Sequence, residues 1–216
     1  MKLHVLHETL YGYDQPIRQS IQMLRMTPPS TPSQQVHHWH LEYPGKATPW
    51  TDAYGNHCHC LVLERPVQEI KIRAHGEVSL NPQNAGDAEG PIPHHVFLKT
   101  TTLTQVNPAI CDFLEPFKPG IKSRPYMGLH DLMMGLLERM PYQKGVTHVG
   151  DTAAQAFEKG QGVCQDHTHV FLACARHLGI PARYVSGYLH DPALEQVASH
   201  AWAEAWVGSG WVGFDV

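Results

Sequence analysis

A chain of 216 residues carries 16 Lys and Arg against 20 Asp and Glu, a formal net charge of -4, so no basic excess exists to suit a nucleic-acid backbone or an anionic membrane surface. Hydrophobic residues make up 42% and charged residues 17%, a composition of folded rather than disordered chains. No run approaches the ~20 apolar residues of a spanning helix, Met1 to Glu8 lacks the apolar centre of a secretory signal, and five cysteines, an odd number, suit free thiols in a reducing, cytoplasmic setting.

Residues 1–80 read as β-structure. Leu3 to His7 alternates, Val36 to Tyr43 is strand-like, and Glu69 to Ala74 repeats with period 2. Asp52-Ala53-Tyr54-Gly55-Asn56 is a turn cluster ahead of His57 to Leu63. Short strands broken by Gly, Pro and Asn predict a small sandwich or curled sheet. Residues 81–104 form the expected linker, because 81–95 are rich in Pro, Gly and Asn and have no apolar period.

From about residue 105 the period becomes helical. Pro108 to Phe113 predicts a short helix with Pro in its first turn. Ser123 to Met140 carries Leu129, Leu132, Met133, Leu136 and Leu137 at helical spacing. Thr152 to Lys159 predicts a short helix, and Val163 to Leu178 a long one stopped by Gly179 and Pro181. Strands return at Ala182 to Tyr188, Ser199 to Val207 and Trp211 to Val216. Helices followed by an antiparallel sheet make residues 105–216 an α+β domain.

Within that domain, Gly160-Gln161-Gly162-Val163-Cys164 turns the chain sharply into the long helix. Cys164 then falls in the first turn, where unpaired N–H groups and the positive dipole end stabilise a thiolate, the nucleophilic form. Read alone, Cys164 could also be a small, inert core residue. Downstream, Ser199 to Val207 alternates strictly, with His200, Trp202, Glu204 and Trp206 on one face and Ala201, Ala203 and Ala205 on the other. The Ala face suits close packing on a helix. Gly208-Ser209-Gly210 turns the chain back. Pairing Trp206 with Trp211 sets Asp215 opposite Trp202, a diagonal neighbour of His200 at roughly 7 Å by backbone. A slip of one residue would send Asp215 to the other face. Alone, His200 is one of seventeen histidines and Asp215 a solvated carboxylate. Jointly the three fit one mechanism: Cys164 attacks an amide carbonyl, His200 carries the proton and Asp215 holds the imidazole tautomer.

Other residues compete for roles. The Cys164 backbone N–H is a first oxyanion donor, and Tyr142 or Gln161 could supply the second, against the plainer readings of packing and turn shaping. Asp166 suits the helix dipole and is expected to support structure rather than react. His167, three residues along the helix, is a rival base. His57-Cys58-His59-Cys60 points its two residue types to opposite faces of a strand, so one strand cannot assemble a Cys₂His₂ zinc site. No metal or cofactor is expected.

The segments Lys144 to Thr147, Gly160 to His169, Gly179 to Tyr188, His200-Ala201-Trp202-Ala203-Glu204 and Gly213-Phe214-Asp215 closely resemble the bacterial transglutaminase-like family of cysteine-protease type. Residues 1–80, with Tyr11, Arg25 and the Asp52-Tyr54-Gly55-Asn56 turn, resemble the β-rich N-terminal domain of such proteins. The resemblance implies a papain-like α+β core behind a small all-β domain, and a Cys164–His200–Asp215 triad. It also implies a core cut short at residue 216, since the family continues past the Asp strand. The expected partner is a peptide or protein amide, with no nucleic acid and no membrane. A thioacyl intermediate passed to water makes a peptidase or amidase, and passed to an amine a transglutaminase. A binding module that keeps the fold without catalysis is the third reading.

Overall fold

The computed structural model describes residues 1–81, 90–190 and 199–216. It divides into two compact units, Met1–Ile92 and Pro93–Val216. No helix among the described residues is long and apolar enough to cross a membrane.

The first unit is all β. Strands β1 (Lys2–Ile17), β6 (Val67–Leu80) and β3 (Gln34–Glu42) form one antiparallel sheet in that order; β2 (Ser20–Thr27), β5 (His57–Leu63) and β4 (Lys46–Thr51) form another. Alternation along β5 and β6 buries Leu61, Leu63, Ile70 and Ile72, which pack with Leu24 of β2 as the core. Gly55 ends the β4–β5 turn at φ +85, a conformation open to glycine. Asp52 organises that turn. Its Oδ1 accepts the backbone N–H groups of Tyr54 and Asn56, both at 3.0 Å, and its Oδ2 accepts Asn56 Nδ2 at 3.0 Å and Arg25 Nε at 3.2 Å.

Burial would raise the pKa of Asp52, but the bonds from Asn56, Arg25 and Tyr54 together lower it from 3.8 to about 2. A depressed folded-state pKa gives stability that is complete above the unfolded carboxylate's pKa and lost as pH falls through the folded one. Asp52→Ala should therefore cost on the order of 1–2 kcal/mol near neutral pH. The gap between wild type and variant should close between pH 3.8 and about 2. Thermal melts of both proteins across that range measure it; a gap independent of pH would disprove the linkage.

The second unit begins earlier than the sequence pattern suggests. Residues 93–104, expected in the linker, carry 3-10 turns at His94–Leu98 and Thr102–Thr104. Thr104 is buried, and its Oγ1 accepts Arg176 Nη1 at 2.9 Å while Arg176 also donates twice to the Ala182 carbonyl. Turns of three to five residues are too short to show an apolar period. Residues 82–89 of the expected linker lie outside the described residues.

Five helices follow: α1 (Pro108–Leu114), α2 (Lys118–Ser123), α3 (Pro125–Arg139), α4 (Ala153–Lys159) and α5 (Cys164–His177). The helix expected over 123–140 is α3, which starts two residues later, and α2 ahead of it was not expected. Arg124 sits at φ -143, ψ 80, because the ring of Pro125 disfavours a helical residue before it. Thr152 caps α4 in a capping box with Gln155. Gly160 closes α4 at φ +68, freeing the chain to turn towards α5. Strands β7 (Ala182–Tyr188), β8 (Ser199–Val207) and β9 (Gly210–Phe214) make an antiparallel sheet. Helix α5 is buried on most sides from Asp166 to Ala175, as a helix enclosed by a core must be. Ala201, Ala203 and Ala205 give it a flat face to lie on, and Phe171 stacks on Phe214 at 5.1 Å.

Candidate active site

Three short pieces of the second unit carry the residues expected in the site: the loop into α5, the β8–β9 hairpin and the segment after α3. Val163 is the N-cap of α5 and Cys164 its first helical residue. The loop is closed by Asp166, whose Oδ2 accepts the Val163 N–H at 2.8 Å and the Thr147 hydroxyl at 2.7 Å. The carboxylate is 2% exposed. It folds back over Gly162, where a Cβ would lie 2.7 Å from it, so residue 162 must lack a side chain. Asp166 therefore holds the loop that presents Cys164. Arg183 is paired elsewhere, with Glu204 at 2.6 Å.

The hairpin has the Trp206–Trp211 register, with Ala203 opposite Phe214. Asp215 follows the last paired residue, on the His200 face. His200 Nε2 donates to Asp215 Oδ1 at 2.6 Å. With Nε2 so engaged, Nδ1 is the ring atom left for other partners. Gly187 lies opposite His200 on β7, and the Trp202 ring covers it. Trp202 also stacks beside His200 at 6.1 Å, which limits the swing of the imidazole. The structure brings His200 and Asp215 into contact, while among the described residues no hydrogen bond joins Cys164 Sγ to His200. Thiol and imidazole stand on different elements, α5 and β8. Such pairs are often loose until substrate binds.

The third piece runs beside the loop. Gln143 N–H donates to the Gly162 carbonyl at 2.7 Å and Tyr142 pairs with Gly162 as a parallel bridge. Tyr142 is thereby fixed next to the loop that leads into Cys164, with its ring exposed. Burial and then the charge of Cys164 raise its pKa. Gln161 is exposed on the turn. His167, the rival base, is fully buried, and its Nε2 donates to the Met140 carbonyl at 2.6 Å. That bond locks the segment leading to Tyr142 and leaves His167 out of reach of a substrate.

Tyr184 is a neighbour that the sequence reading missed. It stands on β7 opposite Ala203, hence on the α5 face, with the His169 ring 5.5 Å away. Burial, then the charges of Cys164 and Asp166, push its phenol up to about 12. His169 is itself held below its usual pKa, by burial first. The available signal was the period-2 pattern of Ala182 to Tyr188, which puts Ala182, Tyr184 and Ser186 on one face.

Residues 119–216 match the transglutaminase-like superfamily model, and residues 3–79 match the bacterial transglutaminase-like N-terminal region. The chain carries a transglutaminase-like core behind a bacterial transglutaminase-like N-terminal domain. Its fold is shared with a proposed cysteine protease from Cytophaga hutchinsonii, at TM-score 0.69 and 21% identity over 100% of this chain and 76% of that one. An uncharacterised protein of Mycobacterium leprae is 28% identical over 99% of this chain and 82% of its own length. One of Mycobacterium tuberculosis is 26% identical over 99% and 78%. The transglutaminase-like core thus corresponds to the helices and sheet of the second unit, and the N-terminal region to the two sheets of the first.

Of the five thiols, Cys174 is fully buried and its thiol is pushed far up by that burial. Cys58 is 1% exposed. Cys60, Cys111 and Cys164 are partly exposed, and Cys164 alone of these begins a helix. Brief, substoichiometric iodoacetamide followed by peptide mapping should label Cys164 first. Earlier labelling of Cys60, or of Cys111, whose Sγ lies 4.0 Å from His177 Nε2, would count against the assignment. Among the described residues no three His, Cys, Asp or Glu side chains converge to hold a metal ion.

Proposed function

We propose that this transglutaminase-like protein is a thiol-nucleophile enzyme that cleaves peptide or protein amides through a thioacyl intermediate. The observation that carries the proposal is the 2.6 Å bond from His200 to Asp215, formed in the unit whose long helix starts at Cys164. In this reading Cys164 Sγ forms a bond to the amide carbonyl carbon as His200 Nδ1 takes the thiol proton. His200 returns that proton to the leaving nitrogen as the C–N bond breaks, which releases an amine and leaves a thioester. Water then gives a proton to His200 and adds its oxygen to the thioester. Collapse restores the thiol and releases the acid. Asp215 keeps the proton on Nε2, so that Nδ1 remains the basic atom.

An amine can take the place of water in the second half without any change in the first. Intact-protein mass spectrometry during turnover of glutamine-containing peptides tests the reading. An acyl adduct, equal to the peptide minus ammonia for a glutamine side chain or minus the released amine fragment for a cut backbone bond, is expected on wild type and absent from Cys164→Ala. Added monodansylcadaverine should give little amide product if water is the acceptor. An adduct that persists in Cys164→Ala would sink the assignment.

A further inference from the structure

We propose that Tyr184 is a catalytic residue of this site, its hydroxyl donating a hydrogen bond to the oxyanion that forms on the substrate carbonyl as Cys164 attacks. The inference rests on the acyl-transfer reading above and supplies the second donor that such a reaction needs beside the Cys164 N–H.

Placement is the first argument. Residues paired across β7 and β8 share a face: Ala182 with Ala205, Tyr184 with Ala203, and Ser186 with Ala201. The three alanines are those against which α5 lies. Tyr184 therefore stands on the sheet face that α5 covers, with part of its ring open to solvent. Gly187 and His200 are paired on the opposite face.

Chemistry is the second argument. Tyr184 is partly exposed at 38%, and no hydrogen bond to its hydroxyl joins it to another described residue. Its ring is steadied by His169, a residue of α5 itself, so the phenol keeps its position relative to the helix start. Burial, followed by the charges of Cys164 and Asp166, keeps the proton on the phenol across the working pH range. A neutral phenol is a donor; a phenolate would repel the oxyanion.

Two reactions of the same thiol separate this role from a structural one. Acylation by p-nitrophenyl acetate passes through a tetrahedral oxyanion. Alkylation by iodoacetamide displaces iodide and forms none, so it reads only the thiolate and its access. The pre-steady-state p-nitrophenol burst and the alkylation rate are measured for wild type, Tyr184→Phe and Tyr142→Phe. Loss of a single oxyanion donor costs about 10²–10³ in well-studied cases. A phenol partly open to water should give a loss nearer 10- to 100-fold in burst rate for Tyr184→Phe, with alkylation within about twofold of wild type. Equal losses in both reactions would make Tyr184 structural and overturn the proposal. So would a selective loss of the burst in Tyr142→Phe with none in Tyr184→Phe. A wild type that alkylates at Cys164 but shows no burst would overturn the acyl-transfer reading, and this inference with it.

Discussion

Asp215→Asn should lower kcat/KM for an amide substrate by about 10²–10³ while the protein melts within a degree or two of wild type. The bond it replaces is the 2.6 Å contact with His200 Nε2. An asparagine there can offer either its oxygen or its NH₂, and the second choice turns the imidazole into the wrong tautomer. The corresponding change in serine proteases costs about 10⁴. A thiol depends less on base activation than a hydroxyl does, so a smaller loss is expected here. Stability should hold because the side chain of Asp215 is 51% exposed and the backbone is fixed on both sides. Phe214 is 2% exposed and stacks on Phe171, and Val216 is 7% exposed in the same core. Steady-state kinetics with matched thermal melts decide the matter. An unchanged rate would remove Asp215 from the mechanism and leave a Cys164–His200 dyad. A large drop in melting temperature would instead make the pair a device for tying down the β9 end.

The contact itself was legible in the sequence. Strict alternation from Ser199 to Val207 and a Gly-Ser-Gly turn leave few registers, and the one that pairs Trp206 with Trp211 carries Asp215 to the His200 face. Cys164 at a helix start was legible for a similar local reason, since Gly160-Gln161-Gly162 can end one helix and open another. What escaped the sequence depends on contacts between elements. Thr147 gives no sign on its own that it will bond to Asp166, nineteen residues on. Tyr184 looks like any alternating strand residue until the pairing with Ala203 places it against α5. The short helix α2 was missed because Lys118 to Ser123 offers a single apolar residue, Ile121, too few to show a period. The 3-10 turn of 102–104 is held by a distant arginine, Arg176, which no local pattern reveals.

The largest stability effect is expected at Asp166. Asp166→Ala should destabilise the second unit by about 2–4 kcal/mol, because it strips a charged acceptor from two donors at once. Those donors are the Val163 N–H at 2.8 Å and the Thr147 hydroxyl at 2.7 Å. It also removes a negative charge from the first turn of α5, where the helix dipole favours one. The loss should appear as a fall of roughly 10 °C in the second unit's transition. Thr147→Val should take only about 1 kcal/mol, since the Val163 bond survives. Gly162→Ala should resemble Asp166→Ala without touching the carboxylate, for its Cβ would sit 2.7 Å from it and drive it out of the loop. On the proposed acyl-transfer reading, all three variants should slow acylation of Cys164 in proportion to how far the loop is released, because the same loop sets the position of Cys164. The order of effects is the test. If Asp166→Ala leaves the transition where it was, or if Thr147→Val costs as much as Asp166→Ala, the carboxylate does not hold the loop, and its place beside Cys164 needs another explanation.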